Sequence, residues 1–283
     1  MPLSIALVRA FHFASGMLLL AVAAAPWLLA AAPVRGMARL MRWALAVHVL
    51  SGAAWGWLAF SEMAGVSPWA VDGGVLAMGW MGTSFGRLSL LRAGMAAVLA
   101  LVLWCERKRR FPPPGWTVPC AAALLGSLAW AGHAAAGGSG FFAVADGFHL
   151  LAAGIWPGGL VPLALFLVSA PDAEAVRAVR RFSAVSLVTV ALLAATGAIN
   201  AWHLVGGWSA LGTTGYGRLL LVKVALFAVM VGIGARNLLA LKPRLPEPAA
   251  RGWLQGNVGA ELVLGMGVVG VVALLGMLPP PGY

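Results

Sequence analysis

The chain has 283 residues, 61% of them hydrophobic and only 10% charged, with a mean hydropathy of +0.93. A soluble domain carries about 25% charged residues, so the apolar surface of this chain has nowhere to go but lipid, and a soluble fold is excluded. The net charge of +11 is read as membrane topology rather than nucleic-acid binding, and two cysteines cannot build a disulfide framework.

A membrane helix needs roughly 20 apolar residues. In chain order, eight segments meet that length, near 4–32, 43–63, 87–105, 116–136, 145–169, 182–205, 217–241 and 252–278. The first, from Leu3 to Ala32 with Arg9 inside it, is too long for a signal-peptide core and is expected to stay as a helix. The loops alternate in character. "PVRGMARLMRW", "ERKRRFPPPG", "APDAEAVRAVRR" and "LKPRLPEPAARG" hold 13 of the 19 basic residues, whereas "GVSPWAVDGGVLAMGWMGTSFG", "AGGSGFFAVA" and "GGWSALGTTGYG" hold none. The positive-inside rule then puts the basic loops in the cytoplasm and both termini in the periplasm, as an even helix count requires. The expected fold is all-α, a polytopic membrane helical bundle of about eight transmembrane helices forming a single membrane domain over 1–283. No soluble domain, low-complexity segment or clear internal repeat stands out.

"ADGFHLLAAGIWPGGLVPL" (145–163) raises two questions. The Trp156–Gly159 run reads as a kinked, tightly packed helix, since Pro157 removes a backbone hydrogen bond and the glycines admit a neighbour. The ionisable pair Asp146 and His149 is costly in lipid and so marks function. His12, His133, His149 and His203 all fall in the outer halves of their segments, with His48, Cys105 and Cys120 toward the inner side. Neutral imidazoles at one depth suit copper or haem iron. Asp146 is three residues from His149 and can orient it. The candidate metal ligands are therefore His12, His133 and His149 with Asp146 in support, and His203, Met78 and Met81 as secondary candidates. Arg9, Arg92 and Lys223 are also embedded, and suit an anionic group or salt bridges. Glu261 and Arg236 read as an inner-side ion pair. GxSxG, HExxH and P-loop signatures are missing, so no enzyme activity is expected.

The stretch "RRFSAVSLVTVALLAATGAINAWHLVGGWSALGTTGYGRLLLVKVALFAVMVGIGARNLLALKPRL" (180–245) strongly resembles the core of the copper resistance protein D (CopD) family. The pieces that carry the likeness are Arg181-Phe182-Ser183, Thr196-Gly197 with Asn200, the Thr214-to-Arg218 turn, Lys223 and Arg236-Asn237. "RAFHFASGMLLL" (9–20), "GHAAA" (132–136) and "DGFHLLAAGIWPGGLVPL" (146–163) resemble the same family's first, fourth and fifth helices; Pro157 departs from the bulkier apolar residue usual there. The resemblance implies a multi-pass protein of the bacterial inner membrane that moves copper ions, often with a small periplasmic copper-binding protein (CopC-like) as partner. It implies no nucleic-acid partner and no ATPase. The alternative from the histidines is a redox protein holding haem b, with Lys223 as a further ligand.

Overall fold

The computed structural model describes residues 2–108, 114–131, 140–245 and 247–282. The helices are α1 (Pro2–Leu28), α2 (Met37–Met63), α3 (Gly73–Ala77), α4 (Ser84–Cys105), α5 (Pro114–Gly126), α6 (Gly140–Ile155), α7 (Leu160–Ser169), α8 (Asp172–Val205), α9 (Trp208–Thr213), α10 (Gly215–Arg236) and α11 (Pro248–Leu275). Among the described residues there is no strand. Seven segments are long and apolar enough to cross a membrane, and Gly115–Ala131 is a shorter apolar eighth. The protein is a polytopic helical bundle. Lipid favours this outcome because each helix satisfies its own backbone groups.

α1 is the central element. Leu19 to Ala25 are all 2% exposed or less, and α1 packs on α2, α5, α6, α7, α8 and α11. Its alanines let those neighbours approach closely, which is how membrane helices pack without a hydrophobic drive between them. Arg9 Nη1 donates to the Gly276 carbonyl at 3.1 Å. The start of α1 and the end of α11 thus share one face of the bundle, called the outer face here after the loop-charge bias. The segment expected over 145–169 is broken. α6 ends at Ile155 and α7 starts at Leu160, with Trp156–Gly159 in turns between them. Glycine is required at the break, because a Cβ on Gly158 would come within 3.0 Å of the Met17 carbonyl and one on Gly159 within 2.7 Å of the Phe182 ring.

The two halves of the chain repeat one another, although no repeat is clear in the sequence. α4 opens on Thr83-Ser84-Phe85-Gly86-Arg87, and α10 opens on Thr214-Gly215-Tyr216-Gly217-Arg218. Each Thr hydroxyl accepts from the backbone N–H of the Gly three residues on, at 2.9 Å, and donates to the carbonyl four residues back, at 2.7 Å. Each Arg donates to a carbonyl six residues back, Arg87 to Met81 and Arg218 to Gly212. A Cβ on either Gly would strike the same backbone position, the Gly79 or the Ala210 carbonyl. The match extends to α1 and α6, Arg9-Ala10-Phe11-His12 against Asp146-Gly147-Phe148-His149. It extends also to α2 and α8. Ser51 and Thr196 bond the two imidazoles, and Gly52 and Gly197 face their Cε1 atoms. Helices α1, α2 and α4 thus correspond to α6, α8 and α10, and by chain order α5 takes the place of α11. Four crossings return the chain to its starting side, so the halves run in the same direction, as repeats related by an axis along the membrane normal do. α1 and α6 meet at the junction, where Gly154 faces Leu20.

Candidate functional site

A cavity of about 460 Å³ lies at the junction of the halves, walled by α1, α6, α8, α10 and α11. Most of its lining is apolar, from Phe13, Met17, Trp55, Leu150, Phe227 and Val269, among others. Its polar members are Arg9, Asp146, His149, Asn200, Tyr216 and Lys223. Such a cavity, oily with a few convergent polar groups, is the usual form of a small-ligand site.

The protonation of His149 follows from its partners. Its Nδ1 lies 2.9 Å from Thr196 Oγ1. The Thr196 hydroxyl hydrogen is already committed to the Leu192 carbonyl at 2.6 Å, so the oxygen accepts and Nδ1 carries the imidazole proton. Nε2 is left as a bare lone pair, the form that binds a metal. Asp146 was expected to do this orienting. Instead its Oδ1 accepts from Asn200 Nδ2 at 3.0 Å, and the Oδ1 of that same Asn200 is buried with no partner. Lys223 lies near both Asp146 and His149.

His12 occupies the equivalent place in the first half, with different surroundings. It is 4% exposed and stacks on His48, the ring centroids 3.9 Å apart and the planes 16° off parallel. The pair is reciprocal. His12 Nδ1 meets the His48 carbonyl at 3.0 Å, and His48 Nδ1 meets the His12 carbonyl at 3.2 Å. Ser51 and Ser15 complete each contact. A carbonyl only accepts, so both Nδ1 atoms are donors and both Nε2 atoms are bare; that of His48 is buried with no partner. His48 is therefore not an inner-side residue. α1 and α2 run antiparallel, and both imidazoles sit near the middles of their 27-residue helices, which brings them to one depth. Where the second half has Leu193 and Asn200, the first half has His48 and Trp55, and Trp55 packs at 5.6 Å from His12 and 5.2 Å from Phe85.

The remaining candidates are dispersed. His133 lies outside the described residues. His203 stacks on Phe142 with centroids 3.5 Å apart, near the end of α8. Met78 and Met81 are exposed on the turn before α4, flanking Trp80, which packs edge-on against Phe60. Cys105 is exposed and Cys120 half-buried, both free. Among the described residues, no three His, Cys, Asp or Glu side chains converge on one point. The embedded cations have separate partners. Arg9 lies over Trp55 at 5.0 Å, and Arg92 Nη2 donates to Ser89 at 3.0 Å. The expected Arg236–Glu261 pair is absent. Arg236 lies over the Trp253 ring and Glu261 takes a long 3.5 Å hydrogen bond from Asn237. Thr196, Asn200 and His48 are the functional candidates sequence reading left out of the site, although Thr196 and Asn200 stand in the motif that carried the family likeness.

Comparison with known proteins accounts for both halves. The family model for Copper resistance protein D matches residues 176–275, and that for the Copper resistance protein D-like N-terminal domain matches residues 1–141. The chain belongs to the copper resistance protein D family. It is 33% identical over 208 residues to the copper transport protein CutJ of Bacillus subtilis, covering 70% of this chain and 38% of that one. It is 34% identical over 173 residues to a copper resistance protein D of Pseudomonas syringae, covering 55% of this chain and 56% of that one. It is 30% identical over 232 residues to the inner membrane protein YebZ of Escherichia coli, covering 75% and 78%. The chain therefore spans well under two thirds of the first two relatives. No solved structure matches it significantly. The CopD family segment begins inside α8 and ends at the last residue of α11, so it holds Thr196, Asn200 and Lys223, while His12 and Asp146-to-His149 precede it.

Proposed function

We propose that this protein moves copper ions across the bacterial inner membrane, taking them from the periplasmic side into the cavity between its halves. The observation that carries this reading is His149: an imidazole locked by Thr196 into the tautomer with a bare Nε2, lining a cavity that also holds the Asp146 carboxylate. Imidazole suits copper, and a fixed tautomer raises its basicity and holds its orientation. His12 and His133 are the further candidate ligands, with His48 added to them by its pairing with His12. The relatives named for copper transport and copper resistance support the cargo, and the relative named as an inner membrane protein supports the location. The exposed Met78 and Met81 are thioether donors of the kind that suit Cu(I), on the face where a CopC-like periplasmic donor would approach.

The test is copper accumulation and tolerance in cells carrying His149→Leu, His12→Leu or His133→Leu at equal membrane abundance. The expected result is altered copper handling in each. Wild-type handling in all three would end the proposal. A second reading, haem b in the same cavity, is favoured by one observation: Arg9 and Lys223 line it beside His149, and both suit carboxylates such as haem propionates. A stoichiometric Soret band in the purified protein would select that reading.

A further inference from the structure

A second, smaller cavity of about 140 Å³ lies between α7, α8, α10 and α11. Trp156 lines it and also lines the larger cavity; no other residue lines both. The indole is 3% exposed and packs edge-on against Phe227, with centroids 5.9 Å apart. It stands on the first residue of the break between α6 and α7, so the partition between the cavities is carried by non-helical backbone. Broken helices at mid-membrane depth recur where transporters bind and release ions.

The polar groups of the smaller cavity are Glu261, Asn237, Ser183 and Ser186. Glu261 is 2% exposed and falls at the midpoint of α11, the most expensive place in a bilayer for a carboxyl group. It takes only the one long hydrogen bond from Asn237, whose own Oδ1 is held by Asn257 at 2.6 Å. Asn237 itself opens a π-helical turn, Asn237–Leu241, a distortion found mostly at functional sites. No cation offsets Glu261 among the described residues. Among the described residues the salt bridges are Arg244–Glu247 and Arg251–Asp172, and Arg236, the partner expected for Glu261, is turned onto Trp253.

We propose that Glu261, with Asn237 and the two serines, is a binding site for a hard monovalent cation, a proton or sodium, separated from the outer cavity by Trp156. The donor set decides the class. Carboxylate, amide and hydroxyl oxygens suit hard ions, whereas copper prefers sulfur and imidazole, and no Met, Cys or His lines this cavity. The outer cavity adds an imidazole to its oxygens and this one offers no imidazole, so the two suit different ions. The site would supply the coupling ion of an exchanger, but its occupancy does not depend on the copper reading being right.

The test is carbodiimide labelling of the full chain in native membranes, with the modified residue located by mass spectrometry. Dicyclohexylcarbodiimide reacts with protonated carboxyl groups in apolar surroundings. A proton site predicts labelling at Glu261 that falls at least fivefold as pH rises across the range 5 to 9. A sodium site predicts protection by sodium, and not by choline, at fixed pH. Either result supports the proposal, and Glu261→Gln should abolish the label. Trp156→Phe and Trp156→Ala test the partition. A water-soluble carbodiimide applied from the outer face should reach Glu261 in Trp156→Ala but not in Trp156→Phe or the wild type. Labelling that ignores both pH and sodium, no labelling at any pH, or protection by copper alone would overturn the proposal. None of these readouts requires copper transport, so the two readings fail independently.

Discussion

Thr196→Val is the sharpest test of how the protein prepares His149. Valine keeps the volume and branching of threonine at a position only 6% exposed, so packing on α8 should survive. What disappears is the acceptor 2.9 Å from Nδ1. A buried N–H left without a partner costs about 1–3 kcal/mol. The Leu193 carbonyl also faces this ring and can take up part of the bond, so the lower part of that range applies, about 1–2 kcal/mol. At 1.4 kcal/mol per decade, this is roughly a 5- to 30-fold fall in the population with a bare, correctly aimed Nε2. Copper affinity, read by competition with a chromogenic chelator in detergent, should fall by that factor while membrane abundance stays constant. Thr196→Ser restores the hydroxyl and should stay within about twofold of wild type. Wild-type affinity in Thr196→Val, alongside a defective His149→Leu, would refute the role given to the hydroxyl.

Asp146→Asn should weaken copper handling less than His149→Leu, because Asn retains an acceptor for Asn200 and removes only charge; equal losses in uptake assays would make Asp146 a ligand in its own right. Gly86→Ala and Gly217→Ala should lower thermal stability by similar amounts, about 1–3 kcal/mol each, since both place a methyl group against an equivalent carbonyl; a loss in one half alone, measured by thermal unfolding in detergent, would argue against the repeat. Cys105 should resist an impermeant thiol reagent in intact cells and react once the inner membrane is opened. Labelling from the periplasm would invert the assumed orientation.

Hydropathy made the bundle legible, because a span of lipid is a length and composition requirement that needs no partner to be recognised. Asp146 and His149 stood out for the same reason, as ionisable groups where lipid penalises them. Depth along single helices was less informative. His48 reads as an inner-side residue when counted from the basic loop, yet α1 and α2 cross antiparallel and bring it onto His12. The orienting partner of His149 was misjudged because Asp146 is close in sequence, whereas Thr196 is close only after α6 packs on α8. The repeat was hidden by loops of unequal length. α3 and the turns around it precede Thr83, while only α9 precedes Thr214, so no constant spacing links the halves, and the short matched motifs are tied together only by their paired hydrogen bonds.

The repeat places Arg9 and Asp146 at corresponding positions, three residues ahead of each imidazole, and both line the same cavity. A duplicated scaffold with identical residues would present matched electrical walls to whatever enters. This one is polarised across its width, with a guanidinium on the α1 side and a carboxylate on the α6 side. Low-dielectric walls concentrate such a field rather than dissipating it. Lys223 stands near that carboxylate, so charges of both signs flank His149 on the α6 side, while the α1 side presents the guanidinium of Arg9. The two copies have diverged at this pair, as at His48 against Leu193 and Trp55 against Asn200, so the walls of the chamber are no longer electrically matched.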